Sequence, residues 1–116
     1  MAFSEIEAAR YRKVLGSFIE KHRPPPHIRP ELDLGFHLSS QSIEIFERRP
    51  RWRGAPGEFM ENSVAKATFV KARALWKVFW KRADLQWHPY PPMPQVGSLE
   101  KFLQLVAEDK HACFFG

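Results

Sequence analysis

A single cysteine, Cys113, among 116 residues leaves no partner for an internal disulfide. The fold must rest on packing alone, as is usual in a reducing compartment. Long apolar runs are missing too. None approaches the roughly 18 residues that cross a bilayer, and Glu5 and Glu7 stand where a secretory signal carries a basic start and an apolar stretch. A cytoplasmic chain with no membrane partner is therefore expected. The six glycines never gather into a phosphate-cradling loop, and neither a Gly-x-Ser-x-Gly elbow nor a His-Glu-x-x-His pair occurs. Nothing in the chain spells out an enzyme, and a non-catalytic protein without cofactor or metal is the expectation. What remains is ordinary for one domain spanning residues 1–116. A hydrophobic share of 44% supplies a modest core, which excludes a wholly disordered or fibrous chain.

Acidic side chains are scarce in one place. Residues 64 to 90 carry six basic groups against one acidic group, a local charge of +5 that equals the formal net charge of the whole chain. The flanking segments cancel. The same 27 residues hold Trp76, Trp80 and Trp87, three of the four tryptophans. A basic, aromatic segment is the strongest functional signal in the sequence.

Ser4 followed by Glu7 fits a capping box and predicts a helix start. The helix carries Ile6, Val14, Leu15, Phe18 and Ile19 as its inward stripe, and Pro24, Pro25 and Pro26 stop it near His22 or Arg23. Leu32, Leu34, Phe36 and Leu38 then alternate with polar residues, as do Ile43 and Ile45 in Ser42 to Arg48, which predicts two half-buried strands around a short hairpin. Arg49 to Gly57 reads as a loop. Val64 to Arg82 has the helix propensity for one long helix. Against that, Trp76, Val78 and Trp80 alternate with Lys77, Phe79 and Lys81, so two strands with a turn near Arg73 to Leu75 are preferred. Pro89, Pro91, Pro92 and Pro94 predict a rigid connection, and Ser98 caps a last helix whose stripe is Leu99, Phe102, Leu103 and Val106. The expected fold class is α+β: helix, four-stranded antiparallel sheet, helix, with both helices on one face and the other face partly open.

The stretches RPPPHIRPELDLG (Arg23 to Gly35), FERRPRW (Phe46 to Trp52), VAKATFVK (Val64 to Lys71), WKVFWKRADLQWHPY (Trp76 to Tyr90) and CFFG (Cys113 to Gly116) span nearly the whole chain. In the Trp-x-x-x-Trp-x-Arg-x-Asp-Leu-x-Trp-His run above all, the sequence resembles a family of small bacterial proteins catalogued as a domain of unknown function. That resemblance implies a single-domain bacterial protein and carries no family active site.

The remaining chemistry is thin. His111, Cys113 and Asp109, completed by His88, would make a zinc site only with an unusual His-x-Cys spacing and no second thiolate. Cys113 beside His88 or His111 can also be read as a nucleophile and base, a weak pattern by itself. Arg48, Arg49, Arg51 and Arg53 around Trp52 suit phosphate, but Glu44, Glu47, Glu58 and Glu61 make local ion pairing the better use. His27 and the prolines of Arg23 to Pro30 suit either a polyproline docking surface or, preferably, a stiff connector. Strand spacing puts Lys77, Phe79 and Lys81 together on the face away from Trp76, with Phe46 and Arg48 sharing a parity on their own strand. Together with Lys66, Lys71 and Arg73 this predicts a cationic, aromatic platform for single-stranded nucleic acid. The competing reading is an interaction module in which Phe79 and Phe46 are cross-strand partners under a homodimer interface.

Overall fold

Ser4 opens the first helix, α1 (Glu5–His22), through the full capping box: its hydroxyl accepts from Glu7 N at 3.1 Å and its own amide donates to Glu7 Oε1 at 3.0 Å. The computed structural model of the protein describes residues 3–51, 57–109 and 113–115. Tyr11, Leu15 and Ile19 form the buried stripe of α1. Ile6, expected inward, is instead 82% exposed. Tyr11, about one turn before Leu15, takes the inward place, where its ring meets Phe3 at 5.0 Å and the edge of Trp76 at 5.3 Å. The residues after α1 close into turns, with Ile28 N donating to Pro25 O and Leu32 N to Ile28 O. They form a compact connector and not the extended polyproline surface.

The sheet has six strands where four were expected: β1 (Asp33–Ser39), β2 (Ser42–Pro50), β3 (Phe59–Val70), β4 (Leu75–Lys81), β5 (Trp87–Pro89) and β6 (Gln95–Val96). All neighbours are antiparallel, in the order β1-β2-β3-β4-β5, with β6 also on β4. The two extra strands lie inside the proline-rich connection. They are two and three residues long, too short for an alternation to reveal them. The segment expected as a loop from Arg49 is also shorter, because β2 continues through Pro50 and pairs with Phe59. Trp52 and Arg53 lie outside the described residues. Between β3 and β4 the turn comes slightly early, as a short 3-10 helix (Lys71–Arg73) followed by Ala74 at φ 52°. No Gly or Asn announced it, so the alternation on its two sides was the only readable sign.

Ser98 caps α2 (Leu99–Glu108) by accepting from Lys101 N at 3.2 Å. The register places Ile43, Ala67 and Val78 in one row and Ile45, Ala65 and Trp80 in the next, all on the face that packs against Leu15, Phe102 and Val106. Both helices therefore cover one face, and the opposite face is the place to look for function.

One buried ion pair locks α1 to the sheet edge. Asp33 is 6% exposed, and Arg23 grips it with two parallel bonds, Nη2 to Oδ2 at 2.6 Å and Nε to Oδ1 at 3.1 Å. Burial pushes the Asp33 carboxyl upward, but the Arg23 fork and the Leu34 amide outweigh it and hold the group below its ordinary value.

Candidate functional site

Three rows of the register build the open face. His37, Glu44, Lys66, Phe79 and Pro89 lie side by side across five strands; Ser42, Thr68, Lys77 and Gln95 make the next row; Lys81 faces Trp87 at the far end. Period-two geometry thus brings Lys66, Lys77, Phe79 and Lys81 together, as expected from sequence. It adds a second ring, Trp87. Trp87 carries no strand signal in the sequence, because its strand is three residues long and lies among prolines.

The cations lie on the rings. Lys66 Nζ is 6.0 Å from the Phe79 ring centre and 5.8 Å from that of Trp87, and Lys81 Nζ is 5.2 Å from Trp87. None of Lys66, Lys77 or Lys81 forms an ion pair with a described carboxylate, even though Glu44 stands directly across from Lys66. Lysines without an ion pair among the described residues thus stand beside two half-buried rings, and such cation–ring contacts are worth about 0.5–1 kcal/mol near the surface.

Phe46 belongs to the same face but does not extend the platform. A bulge between Ile45 and Phe46 shifts the pairing with β3, and the ring is buried under His37, stacked at 4.6 Å. Gly35 opposite it leaves the room, since an added Cβ would overlap the Phe46 ring. His37 in turn donates from Nε2 to Glu61 Oε1 at 2.7 Å. Lys71 and Arg73 sit on the turn after β3 and are not part of the surface; Lys71 feels Glu7 at the start of α1 instead.

Two of the arginines around Pro50 are paired locally, and a third meets a ring. Arg49 bonds Glu47 at 3.0 Å, Arg51 approaches Glu58 at 3.9 Å, and Arg48 lies over the Phe59 ring at 4.8 Å.

Of the imidazole candidates for a pair with Cys113, His111 lies outside the described residues and His88 is engaged by an acid. His88 donates from Nε2 to Asp84 Oδ2 at 2.8 Å, and Asp84, which also accepts from Gln86 N, is held below its usual range by those two bonds. Cys113 lies near Tyr90 and Asp109. Burial, with the Asp109 charge, pushes its thiol upward, so it stays protonated near neutral pH and is a poor nucleophile. Among the described residues no three His, Cys, Asp or Glu side chains gather as metal ligands; His111 lies outside them. A larger cleft of about 430 Å³ opens on the other side of the molecule, between Phe18, Leu34, Ala107 and Phe115. Its charged rim, Glu47 and Arg49, is paired internally, and the His22 ring that also lines it lies against Phe18 at 4.5 Å.

The sequence model of the family described as Domain of unknown function (DUF3024) matches residues 3–116. The chain belongs to that family. No curated protein and no solved structure matches the chain. For this DUF3024 protein the open face is therefore read from its own chemistry.

Proposed function

We propose that this DUF3024 protein binds single-stranded nucleic acid, without catalysis and without strong sequence preference, through Lys66, Lys77, Phe79, Lys81 and Trp87. One observation carries the reading: two aromatic rings and three lysines share one sheet face, on which, among the described residues, the lysines have no ion pair and no helix packs. Rings accept bases of any identity, and lysines meet phosphates as mobile point charges, so the surface favours a strand over a particular sequence. The same charges disfavour the homodimer alternative on this face. A two-fold axis would set Lys66, Lys77 and Lys81 against their own copies.

Fluorescence anisotropy with an internally labelled oligothymidine at several salt concentrations tests the reading. Three phosphate contacts give a log-log salt slope of about −2. Lys77→Gln removes about 0.7 from it, while Phe79→Ala lowers affinity by about 1–3 kcal/mol and leaves the slope unchanged. No binding at low salt, or equal affinity after Phe79→Ala and Trp87→Ala together, would refute it. A sedimentation mass near that of a dimer, lost on Phe79→Ala, would favour the interaction module.

A further inference from the structure

The platform ends in a notch. Pairing between β3 and β4 stops at Ala65 and Trp80, and beyond that point β3 runs on beside the tight turn that joins β4 to β5. Between them lies a recess of about 120 Å³ lined by Asn62, Ser63, Lys81, Arg82, Leu85 and Phe114. Two cations and two neutral polar side chains point to it, and no acid lines it. The nearby carboxylates are engaged elsewhere: Asp84 by Gln86 N and His88, Glu61 by His37, and Asp109 by the Phe114 and Phe115 amides at 3.1 and 3.0 Å. The side chains of Asn62 and Ser63 have no hydrogen-bond partner among the described residues, and Arg82 makes no ion pair there, only a contact with the Trp80 ring at 5.7 Å.

This arrangement suits an anion that accepts several hydrogen bonds. Two cations match a phosphate monoester, which carries about −1.5 to −2 charges, better than the single charge of an internal diester. Its apolar lining is Phe114, pinned through Asp109, and the exposed Leu85, held at φ 63° in a turn that Asp84 braces. Lys81 links it to the platform, since the same side chain lies over Trp87.

We infer that the notch seats the terminal phosphate of a single strand whose neighbouring bases lie on Trp87 and Phe79. The inference rests on the nucleic-acid reading above and adds to it a preference for one phosphorylated end. Phosphate on a strand end and free phosphate share this chemistry, and the test separates them.

Three oligothymidines of one length, internally labelled and carrying a 5′-phosphate, a 3′-phosphate or two hydroxyl ends, are compared by anisotropy at fixed ionic strength. One phosphorylated end, and not the other, should bind about tenfold tighter than the hydroxyl-ended strand, as expected for one charge-assisted site. Extra charge alone would favour both ends equally. Arg82→Gln should abolish the preference and leave the hydroxyl-ended affinity within about twofold, and Asn62→Ala should reduce it; both residues are exposed and thermal melting checks that the fold is intact. Inorganic phosphate should weaken only the preferred strand, down to the hydroxyl-ended affinity.

Equal gains at both ends, no gain at either end, or a gain that survives Arg82→Gln would overturn the inference. Shifts in the Ser63 and Arg82 amide signals with inorganic phosphate, but no gain at either strand end, would assign the notch to free phosphate and likewise overturn it. Loss of the end preference with Phe79-dependent binding intact leaves the platform standing. An end preference without any Phe79 dependence would remove the platform and keep the notch.

Discussion

The two faces of β4 are built from alternate residues of one seven-residue strand, yet they are held by different physics. Toward the helices, Trp76 and Val78 are buried against Leu15, Phe102 and Val106. Away from them, Lys77 is exposed, and Phe79 and Lys81 are half-buried among cations and rings. One face lowers its free energy by excluding water within the chain. The other holds half-buried rings beside lysines that make no ion pair among the described residues, the arrangement on which the proposed binding of a strand rests.

Exchanging roles between the two tryptophans tests that contrast with the largest effect. Trp76→Ala empties the centre of the aromatic cluster with Phe3, Tyr11 and Phe69, and should cost about 3–5 kcal/mol of stability in urea unfolding. Trp87→Ala should cost much less stability while weakening oligonucleotide binding. Similar stability losses for both would erase the distinction between the faces.

Asp33 marks where the open face stops being open. By register it shares the parity of Arg48 and Glu61, but Arg23 seals it. Asp33→Asn should cost about 2–3 kcal/mol, less than a fully buried pair because Arg23 is partly exposed and keeps Glu20. The folded carboxyl titrates below its unfolded value, so its contribution is complete above about pH 4 and fades as pH falls through the lower, folded value. The wild type and the Asn variant should therefore start to converge in acid unfolding as pH falls below about 4, and meet only once it is below the folded value.

Lys77→Gln gives the smallest effect. An exposed lysine without an ion pair should change stability by no more than about 0.5 kcal/mol, so any loss of binding it causes cannot be charged to the fold.

Much of this contrast is legible in the sequence, because alternation reports sheet faces directly. Trp76, Val78 and Trp80 outweighed a helix propensity spread over Ala65 to Leu75, since rings that must pack fix a strand more firmly than a few tenths of a kcal/mol per residue fix a helix. The capping residues Ser4 and Ser98 marked both helix starts for an equally local reason. What stayed hidden depends on distant partners. β5 and β6 exist only because β4 offers them an edge, so nothing within Trp87 to Val96 announces them. Phe46 has the parity of the platform, and only the bulge, Gly35 and His37 together bury its ring. Ile6 lies about two and a half turns before Leu15, which puts it on the opposite, solvent side of α1 from the stripe of Tyr11, Leu15 and Ile19. The notch forms where β4 ends and β3 continues, a meeting of residues twenty positions apart that periodicity does not encode.

The most direct test uses the tryptophan indole N–H signals in a two-dimensional nitrogen–proton spectrum, titrated with a short oligothymidine at low salt. Trp87 stands on the open face and Trp76 in the core, so each face carries its own reporter. The Trp87 signal should move with saturation while the Trp76 signal stays fixed. Saturating shifts at Trp76 with Trp87 unmoved, or no shift at either, would contradict the claim that the open face of the sheet holds the strand.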